Sequence, residues 1–257
     1  MRQGKGRLLI VGLGPGACEW VTPEATQALA EANDLVGYAP YLARLPERPG
    51  QTRHASDNRE ELARASQALS LAASGRKVAV VSGGDPGVFA MAAAVFEALE
   101  AGEPAWRGLE VKVIPGITAM QAAAARLGAP LGHDFCAISL SDNLKSWTVI
   151  EKRLAAAADA DFVIALYNPA SKSRSQGIHD AFACLRARKP PATPVMFARA
   201  VGRPDEELTI TSLAEADPGN ADMATLVIIG SSATRVVVRP GSMRGFVYTP
   251  RGEGARP

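Results

Sequence analysis

Short apolar runs alternate along the chain with longer stretches in which alanine and leucine recur at helical spacing. The short runs predict buried strands, and the longer stretches predict amphipathic helices. The expected strands cover residues 8–11, 35–38, 78–81, 109–114, 135–139, 162–167, 195–198, 208–212 and 225–230. The expected helices cover residues 23–33, 58–74, 89–100, 119–127, 147–158 and 177–187. This alternation predicts an α/β fold with a largely parallel sheet that helices cover on both faces.

A segment rich in glycine and proline, residues 128–132, interrupts the alternation, which then resumes. We therefore expect two α/β domains, an N-terminal one over residues 1–130 and a C-terminal one over residues 131–245. The residues from Arg251 onward are rich in glycine, arginine and proline, and residues 246–257 are expected to form a flexible tail.

The composition indicates a globular protein with balanced charge. The 257 residues are 47% hydrophobic and carry a formal net charge of +2. This balance argues against a dedicated nucleic-acid binder, which is usually strongly basic. No apolar run reaches the length of a membrane-spanning helix, and the chain enters its first strand without a signal-peptide pattern. We therefore expect a cytoplasmic protein that binds neither nucleic acid nor membrane.

The three cysteines, Cys18, Cys136 and Cys184, lie far apart and form no CxxC pair. An odd and dispersed set is typical of a reducing compartment, and it does not have the spacing of a zinc site. We therefore expect buried structural cysteines and no metal centre.

The most informative segment is the loop SGGDPGVF, which follows the third expected strand and precedes a helix. Gly83 and Gly84 allow unusual backbone dihedrals and the close approach of a ligand. Pro86 disfavours a helical conformation of Asp85, so the carboxylate is expected to face the ligand. Ligands of open α/β sheets bind in the crevice beyond the carboxyl ends of the strands. The segment is therefore interpreted as a ligand-facing loop.

A second glycine-rich loop, GLGPG, follows the first expected strand. Together with Ala17 it matches the GxGxxA fingerprint of dinucleotide-binding folds. In those folds the helix starts within the fingerprint, whereas here the helix signals, Thr22 and Pro23, come later. The sequence leaves open a ligand-binding loop or a plain tight turn, and it disfavours NAD binding.

The segment PGITA lies where the fourth expected strand ends and an alanine-rich helix begins. Thr118 is expected to cap this helix. A cap at the carboxyl end of a strand also places a hydroxyl group and free N–H groups over the same crevice as Asp85. The capping role and a ligand-binding role are compatible.

Two comparable loops follow strands in the second half of the chain, LYNPASKSR and ARAVGRPDEE. The dipeptide of Asn168 and Pro169 favours a turn in the first of them. Each loop is either a solvated basic loop or an anion-binding site at a strand end. Their cationic residues are Lys172, Arg174, Arg199 and Arg203.

Five motifs in register resemble the tetrapyrrole methylase family, S-adenosylmethionine-dependent enzymes of cobalamin and sirohaem biosynthesis. The motifs are GLGPG, SGGDP, PGITA, LYNP and ARAVGRPDE, and the resemblance runs over residues 8–231. Sirohaem-type members usually have methionine where this chain has Asn168, and relatives often have asparagine where it has Ala200.

One branch of the family is the most similar, the one that methylates precorrin-3B at ring carbon 17 and contracts the macrocycle to precorrin-4. The segments that carry this similarity are VGYAPYL, SDNREE, AISLSDNLKSW and LYNPASKSR. The corresponding methylation of a cobalt-containing substrate in the anaerobic route is the alternative within the family.

The resemblance implies a homodimer in which two α/β domains of each subunit enclose a cleft, with S-adenosyl-L-methionine as cofactor and S-adenosyl-L-homocysteine as its product. The implied cofactor contacts are Pro15, Gly84, Asp85, Val88, Thr118, Ala119, Asn168 and Val201. A tetrapyrrole substrate carries acetate and propionate carboxylates, for which guanidinium groups are suitable partners. The residues expected to bind these carboxylates are Arg44, Arg59, Lys172, Arg174, Arg199 and Arg203.

The implied reaction requires little acid–base catalysis from side chains in its methyl-transfer step. Methyl transfer from a sulfonium needs alignment of the reacting atoms more than acid–base help. Ring contraction also requires the removal of a hydroxyl proton from the meso carbon, which a general base would assist. The candidates for this base are Asp142, His133 and Lys172, and a carboxylate of the substrate is the alternative.

Three other classes of protein stay open at this stage. An NAD-linked oxidoreductase predicts an acidic residue at the end of the second strand, where the chain has Gly37 and Tyr38. A non-catalytic tetrapyrrole carrier predicts pigment binding without a cofactor site. An RNA-directed methylase predicts a basic and aromatic surface stripe, which the sequence disfavours.

Overall fold

The computed structural model describes residues 6–57, 60–171, 175–241 and 245–252. The chain divides into two compact units, Met1–Ala119 and Met120–Pro257. Each unit has its own sheet and its own helices, so the expected α/β class is confirmed. Every helix within the described ranges is too short or too polar to span a lipid bilayer.

The sheet of the first unit is parallel throughout. Its strands are β1 (Arg7–Gly12), β2 (Asp34–Tyr38), β3 (Thr52–Ser56), β4 (Lys77–Ser82) and β5 (Glu110–Ile114). They lie in the order β3-β2-β4-β1-β5. The pattern of apolar residues does not predict β3, because its sequence TRHAS is mostly polar and forms an edge of the sheet.

Both faces of this sheet are buried under helices, as expected. The helices are α1 (Pro23–Glu31), α2 (Ala39–Leu42), α3 (Glu61–Ala73) and α4 (Met91–Ala101). In β1, Leu8 and Ile10 belong to the core that α3 and α4 cover, whereas Leu9 and Val11 belong to the core that α1 covers. Burial on both faces explains why the strand is a continuous apolar run.

The sheet of the second unit is mixed. Its strands are β7 (Phe135–Ser139), β8 (Val163–Tyr167), β9 (Pro194–Arg199), β10 (Glu207–Ser212) and β11 (Thr225–Ile229), and β6 (Gly128–Ala129) precedes them in a separate small sheet. The strand order is β10-β9-β11-β8-β7, with β10 at the expected edge position. Strand β7 is parallel to β8, but β11 is antiparallel to both β8 and β9, and β10 is antiparallel to β9.

The prediction of a largely parallel sheet is therefore confirmed for the first unit and wrong for the second. Parallel neighbours need a long crossover, which is usually a helix. The segments 200–206 and 213–224, both of them described, contain no α-helix. Strand β10 therefore returns directly beside β9 in the opposite direction. The segment 213–224 then leads to β11 on the other side of β9, where β11 is antiparallel to both β9 and β8.

Three helices belong wholly or largely to the second unit: α5 (Ala119–Leu127), α6 (Trp147–Asp159) and α7 (Gln176–Arg186). The core contains apolar residues of α6, α7 and the mixed sheet. Phe182 of α7 and Phe197 of β9 stack with ring centroids 6.1 Å apart. This core supports the ends of β7, β8 and β9, which are described below.

The small sheet changes the expected division of the chain. Its other strands are β12 (Arg235–Val237) and β13 (Phe246–Tyr248), in the order β12-β13-β6. Gly128 and Ala129 pair with Val247 and Tyr248, so the second unit includes residues that precede the expected boundary at residue 130. Residues 246–248 were expected in a flexible tail, but they form a strand because the side chain of Val247 is fully buried.

Candidate functional site

The connections of the first sheet diverge at the carboxyl ends of β1 and β4. Strand β1 leads to α1 on one face of the sheet, and β4 leads to α4 on the other face. Such a divergence between neighbouring strands leaves an open crevice, where ligands of α/β proteins bind. The loops 13–16 and 83–90 lie at this position.

Backbone hydrogen bonds join these two loops. The N–H of Gly14 donates to the carbonyl oxygen of Gly84 at 3.1 Å, and the N–H of Gly84 donates to the carbonyl oxygen of Gly14 at 3.0 Å. Both residues have positive φ, 66° for Gly14 and 64° for Gly84, a region that favours glycine. The GLGPG loop is therefore one half of a paired structure rather than an isolated tight turn.

The loop that follows β5 lies against the loops that follow β1 and β4. A Cβ atom added to Gly116 would lie 2.3 Å from the carbonyl oxygen of Gly84, and one added to Gly12 would lie 2.7 Å from the amide nitrogen of Gly116. There is no room for a side chain at either position. Backbone N–H and C=O groups therefore form this edge of the unit.

Asp85 connects two of the three loops. Its Oδ1 accepts the N–H of Gly87 at 2.8 Å, and its Oδ2 accepts the N–H of Gly116 at 3.0 Å. A carboxylate has about four lone-pair sites, so both oxygens can still accept a further hydrogen bond. The structure thus gives Asp85 a role in fixing the loops, and its contact with a ligand stays a prediction.

Arg44 holds the first loop through three carbonyl oxygens. Its Nη1 donates to Gly14 at 3.2 Å, and its Nη2 donates to Leu13 and Gly16, also at 3.2 Å. The sequence predicts a substrate carboxylate as the partner of this side chain. The contacts show instead that its guanidinium holds the conformation of the loop, and contact with the substrate stays a prediction.

Tyr41 is a contact that the sequence analysis missed. Its ring packs so closely on Gly83 that a Cβ atom added there would lie 2.7 Å from Cζ. The ring also meets that of Tyr38 edge to face, with centroids 5.4 Å apart. The available signal is a pair of tyrosines, one at the end of β2 and one within the short helix that follows.

The helix signals after GLGPG are correct. Helix α1 begins at Pro23, and the hydroxyl of Thr22 accepts the N–H of Ala25 at 3.1 Å. The residues Cys18–Trp20 form a separate 3-10 turn between the glycines and this helix. The GxGxxA match therefore does not open a helix, which counts against NAD binding.

The other cofactor contacts expected in the first unit border these loops. Pro15 and Val88 are half-buried, Thr118 is buried, and Ala119 is the first residue of α5. Their contact with a cofactor stays a prediction, as does the capping of α5 by Thr118.

In the second unit, Asn168 follows β8 in a left-handed conformation with a φ of 52°. Asparagine adopts this conformation more readily than most residues. Its Nδ2 donates to the Oγ of Ser139 at 2.9 Å, which ties the ends of β7 and β8 together. The hydroxyl of Tyr167 accepts the N–H of Met120 at 3.1 Å and so fixes the start of α5.

Arg199 ends β9 and is held by two carboxylates. Its Nε donates to Asp222 at 2.9 Å, and its Nη1 donates to Asp205 at 3.1 Å. Burial acts to raise the pKa of Asp222, but hydrogen bonds from Thr225 and Arg199 outweigh it and hold that pKa below its usual value. Because this charge is already matched, the case for Arg199 as a substrate partner is weakened.

The loop after Arg199 contains the remaining described candidates. Val201 is buried and Arg203 is exposed. Ala200 has a φ of 49°, a conformation that the asparagine usual in relatives would adopt at lower cost. The roles of Val201 in cofactor binding and of Arg203 in substrate binding stay predictions.

The candidate bases do not lie together. His133 precedes β7, with its Nδ1 3.9 Å from Asp134, whereas Asp142 follows β7. Because a strand of this length spans about 17 Å, His133 and Asp142 lie at opposite edges of the sheet. Asp142 shares its edge with Asn168 and Arg199. The third candidate, Lys172, lies outside the described residues, as do Arg59 and Arg174.

The cysteines and acidic residues offer no other centre in the described ranges. No group of three or more histidine, cysteine, aspartate or glutamate side chains is placed there to hold a metal ion. Burial raises the pKa of the Cys136 and Cys184 thiols, which keeps both in the unreactive form.

These features define a class of protein: an α/β protein of two units, with closely packed backbone loops at the carboxyl ends of strands in the first unit. The family model for Tetrapyrrole (Corrin/Porphyrin) Methylases matches residues 7–217. The chain belongs to this family, and it is an S-adenosylmethionine-dependent methyltransferase. The resemblance of the five motifs is therefore confirmed.

Individual relatives are similar over nearly the whole chain. A precorrin-3B C(17)-methyltransferase from Sinorhizobium sp is 59% identical over 246 residues, which are 96% of this chain and 96% of the relative. A cobalt-factor III methyltransferase from Priestia megaterium is 42% identical over 234 residues, which are 90% of this chain and 43% of the relative. The crystal structure of the methyltransferase CobJ has a TM-score of 0.91 and 55% identity, and the match covers 95% of this chain and 100% of that one.

We expect Asp85→Asn to weaken the binding of S-adenosylhomocysteine about tenfold, because one charge-assisted hydrogen bond to the loops is lost. The asparagine amide keeps one acceptor, but its NH₂ group would face the N–H of Gly87 or of Gly116. Isothermal titration calorimetry measures the effect. Glu110→Gln, at an exposed carboxylate on the amino end of β5 in the same unit, is the matched control, and equal losses in both variants would contradict this role of Asp85.

Proposed function

We propose that this protein is a precorrin-3B C(17)-methyltransferase, which methylates precorrin-3B at ring carbon 17 and contracts the ring to precorrin-4 in cobalamin biosynthesis. The observation that carries the proposal is the 59% identity to the Sinorhizobium enzyme of that name, over 96% of both chains. The similarity to the CobJ structure over 95% of this chain supports it further.

The described contacts fit a reaction that depends on alignment. S-adenosylmethionine supplies an activated methyl group when it is bound. Holding a nucleophilic carbon in line with that group can contribute roughly 7–11 kcal/mol to the lowering of the barrier. The three glycine contacts, Asp85 and Arg44 make the loops of the first unit rigid. We infer that their rigidity is the main catalytic contribution of this unit.

Ring contraction requires the loss of the proton from the meso-carbon hydroxyl, followed by expulsion of that carbon as an attached acetyl group. Among the described candidates, Asp142 is favoured as the base. It is exposed at the carboxyl edge of the second sheet, whereas His133 is at the opposite edge. Lys172 and a carboxylate of the substrate stay alternatives for the same proton.

We further propose a cytoplasmic homodimer, on the basis of the family resemblance. For the substrate carboxylates, Arg203 is the most accessible described candidate, because it is exposed whereas Arg44 and Arg199 are partly buried. Arg59, Lys172 and Arg174 remain candidates on the motif alone.

The test is anaerobic incubation of the protein with S-adenosylmethionine and precorrin-3B, followed by mass spectrometry of the pigment. The expected product has gained one methyl group and releases an acetyl fragment on later processing. Asp142→Ala is expected to accumulate a methylated but uncontracted pigment, which has gained the same methyl group but releases no acetyl fragment on later processing. An unchanged pigment mass, with S-adenosylhomocysteine binding intact, would refute the proposed substrate.

A cobalt-containing substrate is the second candidate, because a cobalt-factor III methyltransferase is 42% identical over 90% of this chain. Parallel incubation with cobalt-factor III and with precorrin-3B, at equal concentrations, separates the two. The proposal predicts a higher kcat/KM for the metal-free pigment. A higher value for the cobalt pigment would assign the enzyme to the anaerobic route.

A further inference from the structure

Arg64 of α3 is a buried cation that contacts neutral acceptors. The residue is 5% exposed. Its Nε donates to the Oγ of Ser56 at 2.6 Å, its Nη2 donates to the carbonyl oxygen of Asp57 at 2.7 Å, and its Nη1 donates to the Sδ of Met91 at 3.3 Å. Within the described residues, no carboxylate pairs with this guanidinium.

The position of Arg64 is one at which the helix would be expected to carry an apolar residue. It lies one helical turn before Ala68 and two turns before Ala72, both of which are buried in the core beneath α3. A buried charge is normally paired, because its removal from water is unfavourable. A charged residue that departs from the local pattern without a matching partner marks a position with a functional role.

The three contacts of Arg64 join the end of β3 to the start of α4, the helix that follows the loop 83–90. Ser56 ends β3 and Asp57 follows it, at the carboxyl edge of the sheet. Met91 begins α4, directly after the loop 83–90. The next residue, Ala92, donates its N–H to the carbonyl oxygen of Pro86 at 2.9 Å, so the start of α4 is coupled to the residue that follows Asp85.

We propose that Arg64 is a positioning residue for S-adenosylmethionine. Its guanidinium holds the start of α4 against the end of β3, so that the loop 83–90 presents Gly84 and Asp85 to the cofactor. Arg64 acts through Met91 and Pro86, and it does not touch the reacting atoms. The inference rests on the proposed function for its role in turnover, whereas its effect on cofactor binding is measured without any tetrapyrrole.

The experiment compares the affinity of the full-length protein for S-adenosylhomocysteine across variants, by isothermal titration calorimetry. We expect Arg64→Met to weaken binding about tenfold, the equivalent of one charge-assisted hydrogen bond. Arg64→Lys is expected to weaken it by only about threefold, because a lysine can make one of the three contacts but cannot reproduce the planar fork.

The matched control is Asp34→Asn, which removes a buried charge at the opposite, amino edge of the same sheet. It should lower Tm and leave the affinity for S-adenosylhomocysteine unchanged. Wild-type affinity in Arg64→Met, or an equal loss of affinity in Asp34→Asn, would overturn the proposal. If Arg64→Met does not fold, Arg64→Lys is the deciding variant. Wild-type affinity for S-adenosylhomocysteine in Arg64→Lys would then overturn the proposal.

A failure of the proposed substrate is distinguishable from a failure of this inference. Precorrin-3B that stays unmethylated while Arg64→Met shows weakened cofactor binding would refute the substrate and keep the role of Arg64. Methylation of precorrin-3B by the wild type, together with unchanged cofactor affinity in Arg64→Met, would support the substrate and refute the role of Arg64.

Discussion

Gly116→Ala is expected to lower kcat/KM for methyl transfer at least about 100-fold, the effect of a misplacement of roughly 1 Å at a reacting centre. The added Cβ would lie 2.3 Å from the carbonyl oxygen of Gly84 and 3.0 Å from the backbone of Gly12. All of these atoms are backbone, so no side chain can rotate away. The loops after β1 and β4 must therefore separate from the loop after β5, which also breaks the hydrogen bond between Asp85 and Gly116.

The measurement is single-turnover methyl transfer, together with the affinity for S-adenosylhomocysteine and the Tm of the variant. Gly108→Ala is the matched control in the same unit, because an added Cβ there meets no atom within 4 Å. We expect it to keep wild-type activity. A Gly116→Ala enzyme that transfers methyl groups at the wild-type rate would show that contact between these backbones is unnecessary.

The second large effect is on stability, at the amino edge of the first sheet. Asp34 is almost fully buried, and its two oxygens accept from the Nε2 of His54 at 2.9 Å and the Nε of Arg76 at 2.6 Å. These contacts join β2, β3 and the residue before β4. We expect Asp34→Asn to lower the free energy of unfolding by about 1.5–3 kcal/mol, the range for hydrogen bonds to a charged group.

The effect of Asp34 on stability depends on pH. Burial acts to raise the pKa of Asp34, but hydrogen bonds and charge interactions with Arg76 and His54 outweigh it, and the folded-state pKa lies below the usual value. A carboxyl with a lowered pKa stabilises the fold fully above its unfolded-state pKa, and this contribution is lost as pH falls through the folded-state pKa. The difference between the wild type and Asp34→Asn should therefore be constant near neutral pH and shrink in acid.

Urea unfolding of both proteins over a series of pH values measures this dependence. Asp134→Asn provides the comparison, because the side chain of Asp134 is 82% exposed, and exposed ion pairs contribute about 0–1 kcal/mol. A difference between the wild type and Asp34→Asn that grew as the pH fell would contradict the assignment of a lowered pKa.

Both predictions reflect how the first unit is built. Charged groups stabilise the amino edge of its sheet, whereas the carboxyl edge near β1, β4 and β5 is made of backbone in close contact. A site of this kind tolerates few substitutions, because a side chain at Gly12 or Gly116 has no space to occupy. Hydrogen bonds of Arg44, Asp85 and Arg64 hold these loops and the start of α4 in their observed conformation.

Local structure and family membership follow from the amino-acid sequence alone. Strands such as β1 and β8 are apolar runs whose burial follows from their composition, and the start of α1 follows from Thr22 and Pro23. Family membership followed from five short motifs, because each motif contains the residue types that its own loop requires. These features depend on residues close together in the chain, so periodicity and local propensity are sufficient to find them.

The three-dimensional fold was needed to show which of these motifs come into contact and which partners their charged residues have. Gly12, Gly84 and Gly116 are far apart in sequence and come together because β1 lies between β4 and β5. The same order pairs Asp85 with Gly116, while Arg44 and Arg64 reach backbone carbonyls that no spacing rule predicts. The antiparallel strands of the second unit were missed for the same physical reason. Strand order and direction are set by contacts between distant segments. The pattern of residues within one segment carries no information on those contacts.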